Sequence, residues 1–195
     1  MKPIVLIDEF INIQNHLLLL SVNGNRLPSK VFTANISSYS FLAFDGLFMR
    51  DFFERLIRFC KLNGDGHFYL ATSDPDPLGY YFKHFEFFGA FKFELNDLAD
   101  DFVSAVNDFP IDSPADALIH RADRLDFFSS NGKWRLHGDR DAQIAVCGFA
   151  DPSIGAQFQL AFSKDMLLPI ELAAEFAYGK LDCNESLSLL AQYAK

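Results

Sequence analysis

The chain has 195 residues, three cysteines and a formal net charge of −9 at pH 7. This length predicts a single domain, residues 1–195, whose core needs neither a metal nor disulfides to hold it together. The odd number and wide spacing of the cysteines exclude a disulfide framework and a C-x-x-C zinc site, so we expect a cytoplasmic protein. Asp8 and Glu9 interrupt the first apolar run and "HLLLL" is too short to span a bilayer, so we predict neither a signal peptide nor a membrane helix.

Most of the excess negative charge lies in residues 94–126, which we call the acidic segment. It contains nine acidic and two basic residues, whereas residues 1–93 contain nine of each. This distribution argues against nucleic acid or an anionic membrane as a partner of the segment, and it permits a basic protein partner. The alternative is an acidic face that only contacts water.

The first elements in chain order are a strand, a helix and a second strand. "PIVLI" (3–7) predicts a buried strand, and the residues that follow, to Ser40, give no clear pattern. A helix is predicted after residue 45, with Asp45 as its N-cap and "NGDG" (63–66) as its stop. Its inward positions follow helical spacing: Met49, Phe52, Phe53, Leu56, Ile57 and Cys60. "HFYLAT" (67–72) then predicts a strand returning to the sheet.

The stretch "DPDPLGYYFKHFEFFGAF" (74–91) combines carboxylates with seven phenylalanine and tyrosine side chains and one histidine. Asp74 and Asp76 have the spacing of a calcium loop, but Leu78 and Phe85 occupy its fifth and twelfth positions, which excludes that site. We predict instead a helix over 77–88 with Asp76 as N-cap. A second stripe on this helix, formed by Tyr80, His84 and Phe87, is either buried between core layers or exposed to a partner.

The rest of the chain predicts a mixed fold. "FKFEL" (91–95) alternates like a strand, a helix follows with aspartates at its start, and "SPADALIH" (113–120) is typical of a short helix. Residues 125–149 predict a three-stranded antiparallel meander, with a type I′ turn at Asn131-Gly132. Helices are predicted near 169–178 and 184–194, the latter capped by Asn184. The fold class is therefore α+β, a mostly antiparallel sheet packed against several helices.

Motifs of known catalytic chemistry are absent from the sequence. There is no G-x-S-x-G, no G-x-x-x-x-G-K-[ST] and no G-x-G-x-x-G, and the histidines are scattered, so we predict no metal and no cofactor. "LHGDRD" (136–141) places His137 and Asp139 in one turn, and a hydrolase that uses them with Asp74 and Asp76 is one hypothesis. The alternative is a hydrophilic turn in which Arg140 pairs with an acid.

Four segments resemble a known family. They are "FLAFD" (41–45), "DPDPLGYYFKHF" (74–85), "SPADAL" (113–118) and "GKWRLHGDRDAQIAV" (132–146). In this order they resemble bacterial immunity proteins of polymorphic or contact-dependent toxin systems, over residues 41–149. The resemblance implies a cytoplasmic, non-enzymatic protein that binds and blocks one toxin domain, and it implies no catalytic residues.

The leading hypothesis is thus an immunity protein that neutralises a basic toxin domain through the acidic segment. Nuclease toxins are basic because they hold phosphates, and an acidic surface would steer them to the complex. The predicted contact residues are Asp97, Asp100, Asp101 and Asp108, with Tyr80, Trp134 and Asp139 as aromatic or polar anchors. A homo-oligomeric scaffold built on the aromatic stripes is a third hypothesis, and the sequence leaves the oligomeric state open.

Overall fold

The fold is a seven-stranded antiparallel sheet covered on both faces, seen in a computed structural model that describes residues 1–22, 24–33, 35–178 and 183–193. The strands in chain order are β1 (Lys2–Pro3), β2 (Ser38–Ala43), β3 (His67–Asp74), β4 (Ala90–Glu94), β5 (Arg124–Ser129), β6 (Trp134–Asp139) and β7 (Ile144–Phe149). Their order across the sheet is β1-β4-β3-β5-β6-β7-β2. The predicted α+β class is confirmed.

The helices connect and cover these strands. They are α1 (Ile7–Leu20), α2 (Arg50–Asn63), α3 (Lys83–Phe85), α4 (Ala99–Asn107), α5 (Leu118–Arg121), α6 (Pro152–Ala161), α7 (Ile170–Tyr178) and α8 (Cys183–Tyr193). Two 3-10 helices (Phe44–Phe48 and Pro114–Asp116) and one π-helix (Pro77–Phe82) complete the secondary structure. The π-helix runs directly into the single turn of α3.

One face of the sheet carries the larger core, beneath α2, α4 and α6. Much of it is aromatic, which accounts for many of the 23 phenylalanines in the sequence. Phe53 of α2 stacks on Phe102 of α4 with ring centroids 4.8 Å apart, and Phe59 packs edge-on against Trp134 of β6 at 5.3 Å. These contacts fix the helices to the sheet.

The opposite face has two smaller apolar clusters. Helix α1 packs Phe10, Ile13 and Leu17 against one half of the sheet. Leu27, Val31, Phe32 and Ile36, with α7 and α8, cover β7 and β2 on the other half. Between the two clusters lies a row of buried charged side chains on β5 and β6, described below.

Both edges of the sheet are partly covered. At one edge β1 is only two residues long, and its Pro3 pairs with Phe91 of β4. At the other edge the backbone N–H of Leu168 donates to the carbonyl of Phe41 at 2.9 Å, in the middle of β2.

Elements with strong local periodicity form as predicted. The strands after residues 67 and 90, the meander, α2 and α4 are all present, as are helices close to the two predicted near the C-terminus. Gly64 ends α2 in the left-handed region with φ +71°, as its position in "NGDG" predicts. Asp51 and Arg55, four residues apart on α2, form an ion pair at 3.0 Å.

Several local predictions are wrong. The predicted strand 3–7 pairs only as far as Ile4, because α1 begins at Ile7 and leaves Val5 and Leu6 exposed. Asp45 lies in a 3-10 helix, and the N-cap of α2 is Met49, whose backbone is extended. Met49 is therefore not one of the inward positions of the helix, and it is 61% exposed.

One helix end, one turn and one helix cap also differ from prediction. The helix predicted over 77–88 ends at Phe85, because Glu86 adopts a left-handed conformation. In the loop between β5 and β6 only Gly132 has positive φ, so the turn is not type I′. Asn184 lies inside α8, which begins at Cys183.

No helix in the described ranges has both the length and the apolar character needed to cross a bilayer. Cys60 and Cys147 are buried free thiols whose pKa burial raises well above its usual range. The side chain of Cys183 lies outside what the structure describes.

Candidate partner-binding groove

A surface groove of about 540 Å³ lies where three distant segments meet. We call it the aromatic groove. Its walls come from the N-terminal strand, from the turn after α3 and from the loop between α4 and α5. The lining residues are Pro3, Val5, His84, Phe85, Glu86, Phe87, Phe109, Pro110, Ile111, Asp112 and Ser113.

The local sequence explains why the chain turns into the groove. Asp76 caps the π-helix by accepting a hydrogen bond from the Gly79 N–H, and Pro77 occupies the first helical position. The helical run ends at Glu86, where φ is +58°, an uncommon value for a residue other than glycine. This reversal directs Phe87 inward, where it is 4% exposed, while Glu86 itself faces solvent.

The floor of the groove is aromatic. Phe87 lies 5.9 Å from Phe91 of β4 and 6.1 Å from Phe109, measured between ring centroids. Phe91 and Phe109 meet edge-on at 5.4 Å. Because these rings belong to the main core, the floor is rigid and anchored to the sheet.

The rim combines exposed apolar side chains with acidic groups. Ile111 is 70% exposed and Val5 is 46% exposed. Glu86 and Asp112 are exposed beside them, and His84 is the remaining titratable group in the lining. An exposed apolar patch with a polar rim is typical of an interaction site.

The second aromatic stripe predicted on the 77–88 helix therefore divides between core and surface. Phe87 forms the floor of the groove and His84 lies on its wall. Tyr80 lies next to His84, with ring centroids 5.7 Å apart, but it does not line the groove. Its hydroxyl donates to Asp116 and accepts a hydrogen bond from Arg121, so it serves to hold the loop before α5.

The four aspartates predicted as contact residues have partners within the chain. Asp97 pairs with the N-terminal amine at 2.6 Å, and Asp100 pairs with Arg50. Asp101 accepts the Leu98 backbone N–H at 2.9 Å, and Asp108 accepts the Ser104 hydroxyl at 2.6 Å. Two of the four carboxylates are thus balanced by cations of the same molecule. The acidic segment contributes to the groove instead through Asp112, which was not among the predicted residues.

Two predicted anchors are wrong. Trp134 is 0% exposed because its ring packs in the core, where its Nε1–H donates to Asp65 at 2.8 Å. Asp139 is 2% exposed and accepts the Ala142 backbone N–H at 3.2 Å. Alternation along β6 buries both side chains, on opposite faces of the sheet, so neither can touch a partner at the surface.

The residues of the hydrolase hypothesis each contact a different partner. Asp74 pairs with Arg124 at 2.5 Å, and Asp76 caps its helix. His137 is buried with its Nδ1 2.8 Å from a carboxylate oxygen of Asp126. Across the described part of the chain no three His, Cys, Asp or Glu side chains are placed to hold a metal ion.

Sequence reasoning missed Glu86, Phe109, Ile111 and Asp112. The groove joins segments more than twenty residues apart, and no local pattern indicates that they meet. The signal that existed was the excess of aromatic residues in 80–88, more than one helix face can bury.

Comparisons of the chain with protein-family models, with curated proteins and with solved structures found no match.

Proposed function

We propose that the protein is a non-enzymatic binding protein, and that it acts as an immunity protein which occludes a toxin domain. The aromatic groove is the docking site for one segment of that partner. The observation that carries the proposal is the exposure of Ile111 over a rigid aromatic floor, with two carboxylates at the rim.

The groove favours a partner segment with one apolar side chain flanked by basic residues. A large apolar side chain would displace water from Phe87 and Phe109, which contributes about 25 cal/mol per Å² of apolar surface buried. Lysine or arginine beside it would meet Glu86 and Asp112, which adds specificity and speeds association. The net charge of −9 favours the same class of basic partner at longer range.

The groove alone is smaller than a standard protein interface, which buries roughly 1,200–2,000 Å² in total. We therefore assign it the central apolar anchor and assign the surrounding surface a secondary role. Asp101 and Asp108, near α4, contact uncharged groups, a backbone N–H and a serine hydroxyl. We propose that these two carboxylates contribute to electrostatic steering of the basic partner.

The test uses the protein encoded beside this one, because an immunity gene normally lies directly after its toxin gene. That neighbour is expressed in a laboratory bacterium with and without this chain. We expect growth arrest without it and growth with it. Growth arrest in both cultures would reject the immunity function.

A matched pair of variants then tests the groove. Ile111→Asp places a charge on the apolar rim, and Leu160→Asp makes the same change on α6, where the side chain is 73% exposed and outside the groove. Ile111→Asp should weaken binding to the purified partner by at least about tenfold, as expected for a buried apolar anchor. Leu160→Asp should bind as the parent does. Equal affinity of both variants would move the docking site elsewhere.

A further inference from the structure

A second cavity, of about 260 Å³, lies on the opposite face of the sheet from the main core. We call it the polar cavity. The C-terminal half of α1 and the loop after it cover it with Gln14, Ser21 and Asn25. Asp126 of β5 and His137 of β6 line it from the sheet. It shares no lining residue with the aromatic groove.

The charged side chains beneath this cavity form a compact network. Arg135 donates from Nε to Asp126 Oδ1 at 2.9 Å and from Nη1 to the Val31 carbonyl at 2.8 Å. The imidazole Nδ1 of His137 lies 2.8 Å from the same Asp126 oxygen. All three residues are at most 4% exposed. Cross-strand pairing of Asp126 with His137 holds the arrangement in register.

Two polar atoms of the network are left over. Among the described residues, neither Asp126 Oδ2 nor His137 Nε2 has a hydrogen-bond partner. Burial alone would raise the pKa of Asp126, but the charge of Arg135 and the contacts of His137 outweigh it and lower the pKa. The carboxylate is therefore ionised and can only accept. The contact with the Asp126 carboxylate places a hydrogen on His137 Nδ1, which also lies 3.2 Å from Arg135 Nη2, and this leaves Nε2 as the ring atom that can meet a ligand.

The charges around the cavity are balanced. Arg135 pairs with Asp126 at 2.7 Å, and Arg124, which also lines the cavity, pairs with Asp74. A cationic ligand would add an unmatched charge to a buried site, which is unfavourable. A neutral ligand that carries both N–H donors and a carbonyl acceptor would make hydrogen bonds to both atoms without that cost.

We propose that the polar cavity is a binding site for a small neutral molecule of the urea or carboxamide type. One N–H group donates to Asp126 Oδ2, His137 Nε2 makes a second hydrogen bond with the ligand, and the ligand carbonyl accepts from the side-chain amide of Gln14 on the covering side. The volume limits the ligand to about the space of eight or nine water molecules, at roughly 30 Å³ each. Affinity for such a small ligand is expected to be in the millimolar to micromolar range.

The experiment titrates the full chain with 2-imidazolidinone, a cyclic urea, and follows the ¹⁵N resonance of His137 Nε2. We expect a saturable shift of this resonance and a melting temperature that rises with the probe. Cyclopentanone, the same ring and carbonyl without the N–H groups, and methylammonium serve as the competing chemistries and should produce no saturable shift. No saturation with 2-imidazolidinone would overturn the proposal, because ordered water alone then satisfies the two atoms. Stronger saturation with methylammonium would also overturn it.

Two helix substitutions check the position of the ligand without touching the buried network. Gln14→Leu changes the covering side of the cavity, and Gln159→Leu makes the same change on an exposed position of α6. Gln14→Leu should weaken 2-imidazolidinone about tenfold, the equivalent of one lost hydrogen bond. Gln159→Leu should leave the affinity unchanged. If both variants bind as the parent does, the probe occupies another site and the proposal fails.

Discussion

Asp126 and Asp139 lie on the same face of the sheet, one on β5 and one on β6, yet their pKa values shift in opposite directions. Arg135 and His137 overcome the effect of burial at Asp126 and lower its pKa. At Asp139 burial dominates, and the hydrogen bond from the Ala142 N–H does not compensate, so the pKa is raised. Asp126 therefore stabilises the fold above the unfolded-state pKa of about 3.9, and that stability is lost as the pH falls.

Asp139 has the opposite pH dependence. Because its folded pKa is raised, its contribution is present below about pH 3.9 and is lost as the pH rises through the folded value. We expect Asp139→Asn to remove this loss, since the amide keeps an acceptor for Ala142 without a buried charge. We compare the free energy of unfolding of the variant with that of the parent at each pH. The difference should favour the variant by about 1 kcal/mol more at neutral pH than at acid pH.

Urea denaturation at both pH values measures this difference. Asp141→Asn is the comparison, because the Asp141 side chain is 80% exposed on the same turn and its charge only adds to the burial that raises the Asp139 pKa. It should change the pH dependence little. If Asp139→Asn gave the same change in unfolding free energy at acid and neutral pH, the raised pKa of Asp139 would be refuted.

At the level of elements, the junction between α3 and β4 positions the aromatic groove. The chain passes through two left-handed residues, Glu86 and Gly89, each with φ +58°. The Gly89 carbonyl accepts the Thr72 N–H at 3.0 Å, which joins β4 to β3 at this point. A Cβ on Gly89 would lie 2.6 Å from Cδ2 of Tyr81, which is fully buried. The close approach of Tyr81, as well as the positive φ, therefore requires glycine here.

We expect Gly89→Ala to lower the free energy of unfolding by about 2–4 kcal/mol, from backbone strain and overpacking together. Gly132→Ala is the matched control, because Gly132 has φ +69° and no atom within 4 Å of an added Cβ. Gly132→Ala should lower the free energy of unfolding by only about 1 kcal/mol, the contribution of backbone strain alone. Urea denaturation of both variants measures the difference. Equal losses of stability in the two variants would show that the Tyr81 side chain can move aside with no penalty in free energy.

The elements that could be predicted are those with a one-sided pattern. Helix α2 has apolar residues on one face only, and β4 alternates strictly, so local sequence determines both. Helix α1 has no such pattern: Leu17 and Leu20 are buried, but Leu18 and Leu19 between them are exposed. Its apolar residues surround the helix, so periodicity could not reveal it.

On the scale of the whole molecule, one sheet supports cores on both of its faces. Strands β5 and β6 contribute to the large cluster beneath α2, and Phe128 of β5 also contributes to the cluster beneath α1. The two sides therefore share their central strands. Neither side can lose its packing without disturbing the other, which favours a single cooperative unfolding transition.

Trp134 allows this cooperativity to be measured, because it is the only tryptophan and is fully buried in the large cluster. We expect its fluorescence to change at the same urea concentration as the far-UV circular dichroism, which reports helices on both faces. A Trp134→Phe variant, followed by circular dichroism alone, checks that the tryptophan reports the parent transition. Two separated midpoints in the parent protein would mean that the faces unfold independently.

The candidate sites could be predicted only in fragments. Alternation in the sequence correctly predicts that Arg135 and His137 share one face of β6. The pairing of His137 with Asp126, which creates the buried network, depends on strand register and cannot be deduced from composition. Likewise Ile111 and Val5 are far apart in sequence, and only the tertiary fold places them in one groove.

The covered edges of the sheet restrict how copies of this protein can assemble. Edge-to-edge pairing with another molecule requires free backbone N–H and C=O groups along an edge strand. At one edge Pro3 has no N–H to donate, and at the other edge the carbonyl of Phe41 already accepts the N–H of Leu168. Fibre-like stacking is thereby discouraged, and recognition of another molecule is directed to side chains.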